Sequence, residues 1–251
     1  FKCMPANFNT IYLLSNISEI FNPSIFYDED FLIKKTEILT FQNIYRFLQW
    51  SNSQEIIENY IGFGNVNYSD TGYELLPLSK DEIINSSKYF KNNRVFLDED
   101  ANKNNLENYT NSFLHFATHN DQIQNEDSIV NALILSGEGN EKYLLPSDIV
   151  NKDLGGSFIL LSACNTFSNT FLGPSTTSEI YNAFLISGAK GVLSTTWDID
   201  SSSAKEFTTN FFNSYSNNSQ IDKSFRNAQL RLISTEQFSH PYHWAGFNLF
   251  H

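Results

Sequence analysis

The chain of 251 residues contains only two cysteines, Cys3 and Cys164. Two cysteines cannot build the multiple-disulfide framework of small secreted domains, so the composition indicates a reducing, intracellular setting, and we expect a cytoplasmic protein. Basic residues are also few, since 16 lysines and arginines stand against 28 aspartates and glutamates, which gives a formal net charge of −12. Nucleic acids and anionic membranes select basic surfaces, so neither is expected as a direct partner.

Long hydrophobic runs are missing as well. No stretch approaches the roughly 20 apolar residues that a membrane helix needs, and the first residues lack the basic segment and uninterrupted apolar core of a signal peptide. Position 1 is not Met, so we expect a fragment or a processed piece of a longer protein. What is present, 41% hydrophobic and 15% aromatic residues, is typical of a globular chain with a substantial core.

Short apolar runs alternate with segments of helical periodicity along the chain. The runs 112–119 and 157–164 are nearly continuous in apolar residues, which is typical of strands buried on both faces of a parallel sheet. The alternation predicts one domain, a three-layer α/β/α sandwich with a mostly parallel central sheet. The predicted strands are 8–15, 31–41 (a strand pair or a strand plus a turn), 59–68, 94–100, 112–119, 128–136, 157–164, 190–197 and 243–251. The predicted helices are 42–50, 79–91, 101–109, 176–188, 201–215 and 222–234.

Local signals mark the ends of some helices. Ser79 and Glu82 have the spacing of a capping box at the start of the helix at 79–91, and Gly188 follows the helix at 176–188 as a C-terminal glycine. Asp148 is predicted to be a turn or cap residue. No Walker A loop or dinucleotide-binding glycine pattern occurs, and the sequence GFG at 62–64 is too short for a phosphate loop, so no cofactor is expected.

Two histidines, His115 and His119, stand four residues apart in the sequence HFATHN. In a strand they would lie roughly 13 Å apart at about 3.3 Å per residue, too far to bind one zinc ion together. The other pair, His240 and His243, has no ligand-spaced neighbours, so no metal site is expected. His115 lies inside the apolar run and is predicted to be a hydrogen-bonded core histidine, whereas His119 stands where the run ends.

Cys164 likewise stands at the end of an apolar run, in LLSACNT. In open α/β sheets active sites form at the C-terminal ends of strands. If the two runs are parallel neighbours, His119 and Cys164 emerge at the same sheet edge, as a thiol nucleophile and its base require. A cysteine ending an apolar run is also commonly a small buried hydrophobe, so the spacing alone leaves both interpretations open.

The motifs HFATH and LLSACNT together resemble the CHAT family, caspase-like proteins often joined to TPR repeats and related to caspases, separase and gingipains. The similarity extends in order over nearly the whole chain. The matching stretches are FLIKKTEILTFQNIYRFL (31–48, similar to an N-terminal hairpin and helix), GFGNVNY (62–68), ELLPLSKDEI (74–83), YLLPSDIV (143–150), AFLISGAKGVLSTTWDID (183–200), FRNAQLRLI (225–233) and HPYHWAGFNLF (240–250).

This resemblance implies a cysteine endopeptidase with Cys164 as nucleophile and His119 as general base and acid. It also implies an N-terminal subregion at 1–58 and a catalytic core at 59–251. The oxyanion would be held by the backbone N–H groups of Cys164 and Asn120. The family usually has Gly after the catalytic His, and Asn is among the few other residues that tolerate a positive φ.

The segment WDID is similar to a substrate-side segment of separase, which implies that Asp198 or Asp200 contacts substrate and favours Lys or Arg before the cut. Trp197 would form a wall of the same pocket. Two alternatives stay open, since Asp200 also fits the cap of a helix starting near Ser201 and the tryptophans Trp197 and Trp244 fit a core.

The resemblance therefore implies a peptidase that cleaves a specific protein or peptide and is regulated by an upstream, TPR-like region or another partner. The alternative is a catalytically inactive or weak caspase-like module that binds a protein. The intact His and Cys pair favours the first of these.

Overall fold

The computed structural model describes residues 9–14, 25, 27–28, 30–50, 56–69, 72–125, 128–162 and 179–251. The strands are β1 (Thr10–Leu14), β2 (Tyr27–Asp28), β3 (Asp30–Phe31), β4 (Glu37–Phe41), β5 (Asn59–Val66), β6 (Asn92–Asp98), β7 (Ser112–Phe116), β8 (His119–Asn125), β9 (Ser128–Ile134), β10 (Tyr143–Leu144), β11 (Phe158–Leu161), β12 (Gly191–Thr195) and β13 (Phe247–Phe250). The helices are α1 (Leu32–Lys35), α2 (Ile44–Trp50), α3 (Ser79–Ser87), α4 (Pro146–Ile149), α5 (Glu179–Ile186), α6 (Ser201–Asn218) and α7 (Ile221–Ser234). None of the described helices combines the length and apolar character that crossing a membrane would take.

A large sheet has the strand order β1-β4-β13-β12-β11-β7-β5-β6. Strands β12, β11, β7, β5 and β6 run parallel to one another. Strand β13 is antiparallel to β12, and β4 and β1 continue in the direction of β13. The central strands β7 and β11 are buried along their whole length, as their continuous apolar sequences predict.

Helices cover both faces of this sheet. On one face, α3, α6 and α7 pack around aromatic side chains such as Phe207 and Phe212. On the other face, α4 and α5 pack together with β9 around residues such as Phe116 and Phe184. The predicted three-layer α/β/α sandwich with a mostly parallel sheet is confirmed.

Three parts of the chain differ from the sequence prediction. Segment 101–109 forms only a 3₁₀ turn, Lys103–Asn105, which the side chain of Asn102 caps at its start and which ends at the extended Leu106. The polar stretch after His119 forms β8, which pairs with β9 and β10 in a separate antiparallel sheet. The segment 31–48 holds no hairpin, but the strand-plus-turn alternative for 31–41 is confirmed, since a helical turn, Leu32–Lys35, leads into β4, which lies parallel to β1.

Two glycines in β5 allow α3 to pack directly on the sheet. A Cβ atom on Gly62 would lie 2.7 Å from Cγ2 of Ile83, and one on Gly64 would lie 2.6 Å from its Cγ1. Real Cβ contacts are longer, so any side chain here would push α3 away. The GFG sequence is thus explained by close packing of a helix, and α3 brings Ser79 and Glu82 to the sheet edge.

Candidate active site at the C-terminal edge of the sheet

The strands that precede the two candidate catalytic residues are direct neighbours. Strands β7 and β11 pair in parallel, with Phe116 opposite Leu161. The N–H of Ser162 donates to the carbonyl of Phe116 at 2.9 Å, which extends this pairing by one residue. The prediction that these two strands are parallel neighbours is therefore confirmed, and both strands end at the same edge of the sheet.

His119 lies at this edge, where the chain turns from β7 into β8. Its Nε2 is 2.8 Å from the carbonyl oxygen of Glu74. Because a carbonyl can only accept, Nε2 carries the proton and donates it, and Nδ1 of the neutral ring keeps the lone pair. The ring is partly exposed, so Nδ1 is the nitrogen available for proton transfer.

Two tyrosines fix the orientation of the His119 ring. Tyr73 stacks on it with centroids 5.5 Å apart, and Tyr68 lies against it at 4.9 Å. The hydroxyl of Tyr68 accepts from the N–H of His119 at 3.2 Å, and that of Tyr73 donates to Asp121 at 2.6 Å. Burial and this hydrogen bond to Asp121 raise the pKa of Tyr73, so its hydroxyl stays protonated. Neither tyrosine was predicted as a site residue, although Tyr68 ends the matching stretch GFGNVNY and Tyr73 stands immediately before ELLPLSKDEI.

The predicted nucleophile, Cys164, lies outside the described residues, as does Cys3. The last described residue before it is Ser162, which follows β11 and stands two positions earlier. Along the chain, His119 is three residues past Phe116 and Cys164 is three residues past Leu161, and these two strand residues pair. The roles of His119 and Cys164 remain predictions.

His115 is fully buried in β7, and both of its ring nitrogens have partners. Its Nε2 lies 3.0 Å from Oε1 of Glu82, and its Nδ1 lies 2.8 Å from the hydroxyl of Tyr60. The prediction of a hydrogen-bonded core histidine is confirmed. Burial and the nearby charge of Glu82 raise the pKa of Tyr60, which keeps that phenol protonated.

The capping box predicted for α3 is wrong. Leu78 is the N-cap residue and makes no side-chain cap bond. The hydroxyl of Ser79 instead accepts from the N–H of Asn65 at 3.1 Å and donates to the carbonyl of Leu76 at 2.7 Å. Glu82 turns inward because His115 offers it a buried hydrogen-bond donor.

A small cavity opens between the C-terminal ends of β7, β11 and β12 and the helices α3 and α6. Its volume is about 30 Å³. We call it the edge slot. Hydroxyl-bearing residues, alanines, two larger apolar residues and one carboxylate line it, namely Leu76, Ser79, Glu82, Ala117, Thr118, Ser162, Thr195, Ile199, Ser201 and Ala204.

Asp200 in the WDID segment is the N-cap of α6. Its side chain accepts from the N–H groups of Ser202 and Ser203 and lies 2.9 Å from Nδ1 of His243. Burial alone raises the pKa of Asp200, but the hydrogen bonds from Ser202, Ser203 and His243 outweigh it and hold that pKa well below its usual range. The helix-cap alternative is confirmed for Asp200, and substrate contact by this residue stays a prediction.

The other residues of that segment divide between surface and core. Asp198 is exposed, and its carbonyl accepts from the Tyr242 hydroxyl at 2.6 Å. Trp197 is partly buried, and its Nε1 donates to the carbonyl of Tyr242 at 3.0 Å. Trp244 is fully buried, as the core alternative predicts. Substrate contact by Asp198 or Trp197 stays a prediction.

Asp148 caps α4 by accepting from the Leu145 N–H, as predicted.

Asn120 does not adopt the positive φ that asparagine tolerates. Asn120 lies in β8 opposite Leu133, and the described residues with positive φ other than glycines are Asn65, Asp98, Asn111 and Ser219. The antiparallel pairing with β9 holds Asn120 extended, a conformation that does not require glycine.

A larger cleft of about 820 Å³ lies at the opposite edge of the sheet, where Phe158 begins β11 and Lys190 precedes β12. It is remote from His119 because it faces the starts of the strands. Within the described ranges, no group of three or more His, Cys, Asp or Glu side chains is placed to hold a metal ion.

The sequence model of the CHAT domain matches residues 20–251 of this chain. The chain belongs to the CHAT domain family. Curated relatives of this CHAT domain include tetratricopeptide repeat protein 28 of mouse, 27% identical over 128 residues, and its human counterpart, 28% identical over 109 residues. The matches cover 51% and 43% of this chain but only 5% and 4% of those proteins.

Solved structures of cysteine proteases share the fold of this CHAT domain. The Arg-specific cysteine proteinase gingipain R (RgpB) of Porphyromonas gingivalis matches with a TM-score of 0.57 at 10% identity, covering 96% of this chain and 62% of that one. The separase–securin complex of Saccharomyces cerevisiae matches with a TM-score of 0.54 at 13% identity, covering 85% of this chain and 13% of that one. At these identities the likeness shows the caspase-like fold alone.

Proposed function

We propose that this CHAT domain is a cysteine endopeptidase in which His119 and Cys164 form the catalytic dyad. The observation that carries the proposal is the parallel pairing of Phe116 with Leu161, three residues before His119 and Cys164 respectively. Both residues then follow the C-terminal ends of adjacent strands, where open α/β sheets carry their active sites. The family membership and the protease fold of its structural neighbours add support.

The geometry of His119 suits a general base. With Nε2–H donated to Glu74, Nδ1 takes the proton of the Cys164 thiol. The thiolate attacks a peptide carbonyl carbon, the C–N bond breaks, and the imidazolium returns its proton to the leaving amine. Water then hydrolyses the thioester. The backbone N–H groups of Cys164 and Asn120 are the proposed donors to the oxyanion.

We further propose that an upstream repeat region or another protein regulates this activity. The curated relatives are named for tetratricopeptide repeats, and the match spans about a twentieth of the length of the mouse protein. A helical repeat array offers an extended concave surface for a protein partner. The partner classes proposed are therefore a protein or peptide substrate and a regulatory region.

The test compares the full-length protein with its Cys164→Ala variant on a complex protein mixture, with new N-termini identified by mass spectrometry. A peptidase generates new N-termini that are missing with Cys164→Ala. A variant with the conservative change His119→Gln should lose the same cleavages. Identical N-termini from the wild type and from Cys164→Ala, with and without the upstream region, would instead support the non-catalytic interaction module.

A further inference from the structure

The acidic side chains at the C-terminal edge of the sheet are the candidates for contacting a substrate in the proposed reaction. Asp200 is engaged as a helix cap, and Asp198 is exposed to water. Glu82 differs from both because its side chain is only 5% exposed and lines the edge slot. A carboxylate at such a site interacts far more strongly with a cation than one on the surface does.

The charge of Glu82 lacks a permanent cationic partner in the described part of the chain. No lysine or arginine described in the structure forms an ion pair with it, and its buried partner is His115. The imidazole of His115 satisfies one of the two carboxylate oxygens by donating Nε2–H. Buried carboxylates in proteins are normally compensated by a cation.

The position of the edge slot connects Glu82 to the proposed chemistry. Its lining includes Thr118, which precedes His119, and Ser162, which stands two residues before Cys164. A substrate side chain entering the slot would therefore belong to a residue held beside the dyad.

The size of the edge slot restricts the cation. Water needs roughly 10–15 Å³ of such space, so a cavity of about 30 Å³ has room for a compact group of one or two heavy atoms. An ammonium group is a compact point charge with three N–H donors, whereas a guanidinium is a broad planar fork. The hydroxyl-bearing residues Ser162 and Ser201 that line the slot offer further acceptors.

We propose that Glu82 in the edge slot binds the ammonium group of a lysine at the substrate position before the scissile bond, and that the slot selects lysine over arginine. This inference rests on the proposed function and names its substrate class. The carboxylate proposed to recognise the substrate is then Glu82 of α3 and not an aspartate of the WDID segment.

The test uses three peptidyl chloromethyl ketones that differ only in the side chain before the ketone: lysine, arginine or norleucine. The Cys164 thiolate displaces chloride and forms a thioether, and mass spectrometry follows the rate at Cys164 in the full-length protein. Wild type should react with the lysine probe about 10- to 100-fold faster than with norleucine, the range expected for a charge-assisted hydrogen bond. The arginine probe should react more slowly than the lysine probe.

The variant Glu82→Gln should bring the ratio of lysine to norleucine rates close to one. Its matched control is Asp81→Asn, which removes the same charge from the neighbouring exposed position of α3, where Asp81 pairs with Lys205 at 3.2 Å. That control should keep the wild-type ratio. Because Glu82→Gln alters a buried pair, Ser201→Leu provides a second variant, which fills the slot from the first turn of α6 and should lower the lysine rate about tenfold.

Iodoacetamide, which has no side chain to enter the slot, reports the reactivity of Cys164 independently of substrate recognition. If it labels Cys164 rapidly but wild type reacts equally with all three ketones, the lysine inference is overturned and the peptidase proposal stands. The same holds if folded Glu82→Gln keeps the lysine preference. If neither iodoacetamide nor any ketone labels Cys164 faster than Cys3, the proposed function fails and the inference fails with it.

Discussion

His115 and His119 are four residues apart in the sequence and occupy opposite kinds of environment. His115 is fully buried, with one nitrogen at Glu82 and the other at Tyr60. His119 is partly exposed and has one nitrogen fixed by the carbonyl of Glu74. The comparison teaches that a histidine with both nitrogens satisfied in the core supports the fold, whereas one with a single fixed nitrogen at a sheet edge keeps its other nitrogen available for the proton transfer that we propose.

The largest effect is expected at His119. Replacing it with Ala removes the proposed general base, and peptide cleavage should slow by about 10²- to 10⁴-fold. The free energy of unfolding should fall by only about 0.5–1.5 kcal/mol, the contribution of an aromatic contact such as that with Tyr73. Steady-state kinetics and urea denaturation measure the two quantities. A large loss of stability with unchanged cleavage would mean that His119 supports the fold and is not the general base.

The change His115→Ala should act through stability. It leaves the buried carboxylate of Glu82 without its donor, and breaking a buried pair in this way costs about 3–5 kcal/mol of the free energy of unfolding. Urea denaturation followed by circular dichroism measures the loss. Tyr60→Phe serves as the control, since it removes the hydroxyl that contacts Nδ1 of His115 and the carbonyl of Ile83, leaves the contact with Glu82, and should cost about 1–3 kcal/mol. Equal small losses in both variants would contradict the buried-pair account.

The packing that brings Glu82 to His115 can be tested at Gly64. A Cβ atom there would lie 2.6 Å from Ile83, so Gly64→Ala should shift α3 and lower the free energy of unfolding by about 1–3 kcal/mol. Gly155→Ala is the control, because its nearest neighbour is the flexible Asp153 side chain at 3.2 Å. Thermal unfolding compares the two variants. A Gly64 variant as stable as the Gly155 variant would mean that α3 adjusts without strain.

The smallest effect is expected at Asp200, a structural carboxylate at the same edge as His119. Asp200→Ala removes the cap of α6 and should cost about 1 kcal/mol at pH 7. The pKa of Asp200 is lowered in the folded state, so its charge stabilises the protein above the unfolded pKa of about 3.9 and this contribution is lost as the pH falls through the folded value. The stability difference between wild type and Asp200→Asn should therefore shrink as the pH is lowered below about 4. A difference that stays constant or grows in acid would show that the charge of Asp200 does not contribute.

Much of the architecture follows from local sequence patterns. The continuous apolar runs predict β7 and β11 as buried parallel neighbours, and they are. Gly188 ends its helix at φ +96°, as a C-terminal glycine predicts. Strand β8 was missed because its sequence, HNDQIQN, is polar and pairs in a small separate sheet where little of it is buried.

The site was harder to predict because its partners come from distant segments. Glu82 fits a capping box by spacing, and only the tertiary contact with His115, 33 residues away, shows that it faces inward. The carbonyl of Glu74 and the ring of Tyr73 likewise reach His119 from 45 and 46 positions earlier in the chain. A local sequence pattern carries no information on such contacts. The Asp200 cap could be predicted because it bonds residues only two and three positions ahead in the chain.

The central claim, that His119 activates Cys164, is tested most directly by the alkylation rates of the two cysteines within one molecule. Isotope-coded iodoacetamide and mass spectrometry give the rate at Cys164 relative to Cys3, in the folded and in the denatured chain. The account predicts that Cys164 of the folded wild type reacts about tenfold or more faster than Cys3, because a neighbouring imidazole raises its thiolate fraction. The advantage should disappear in His119→Ala and in denaturant. A Cys164 that reacts no faster than Cys3 in the folded wild type, or equally fast with and without His119, would contradict the account.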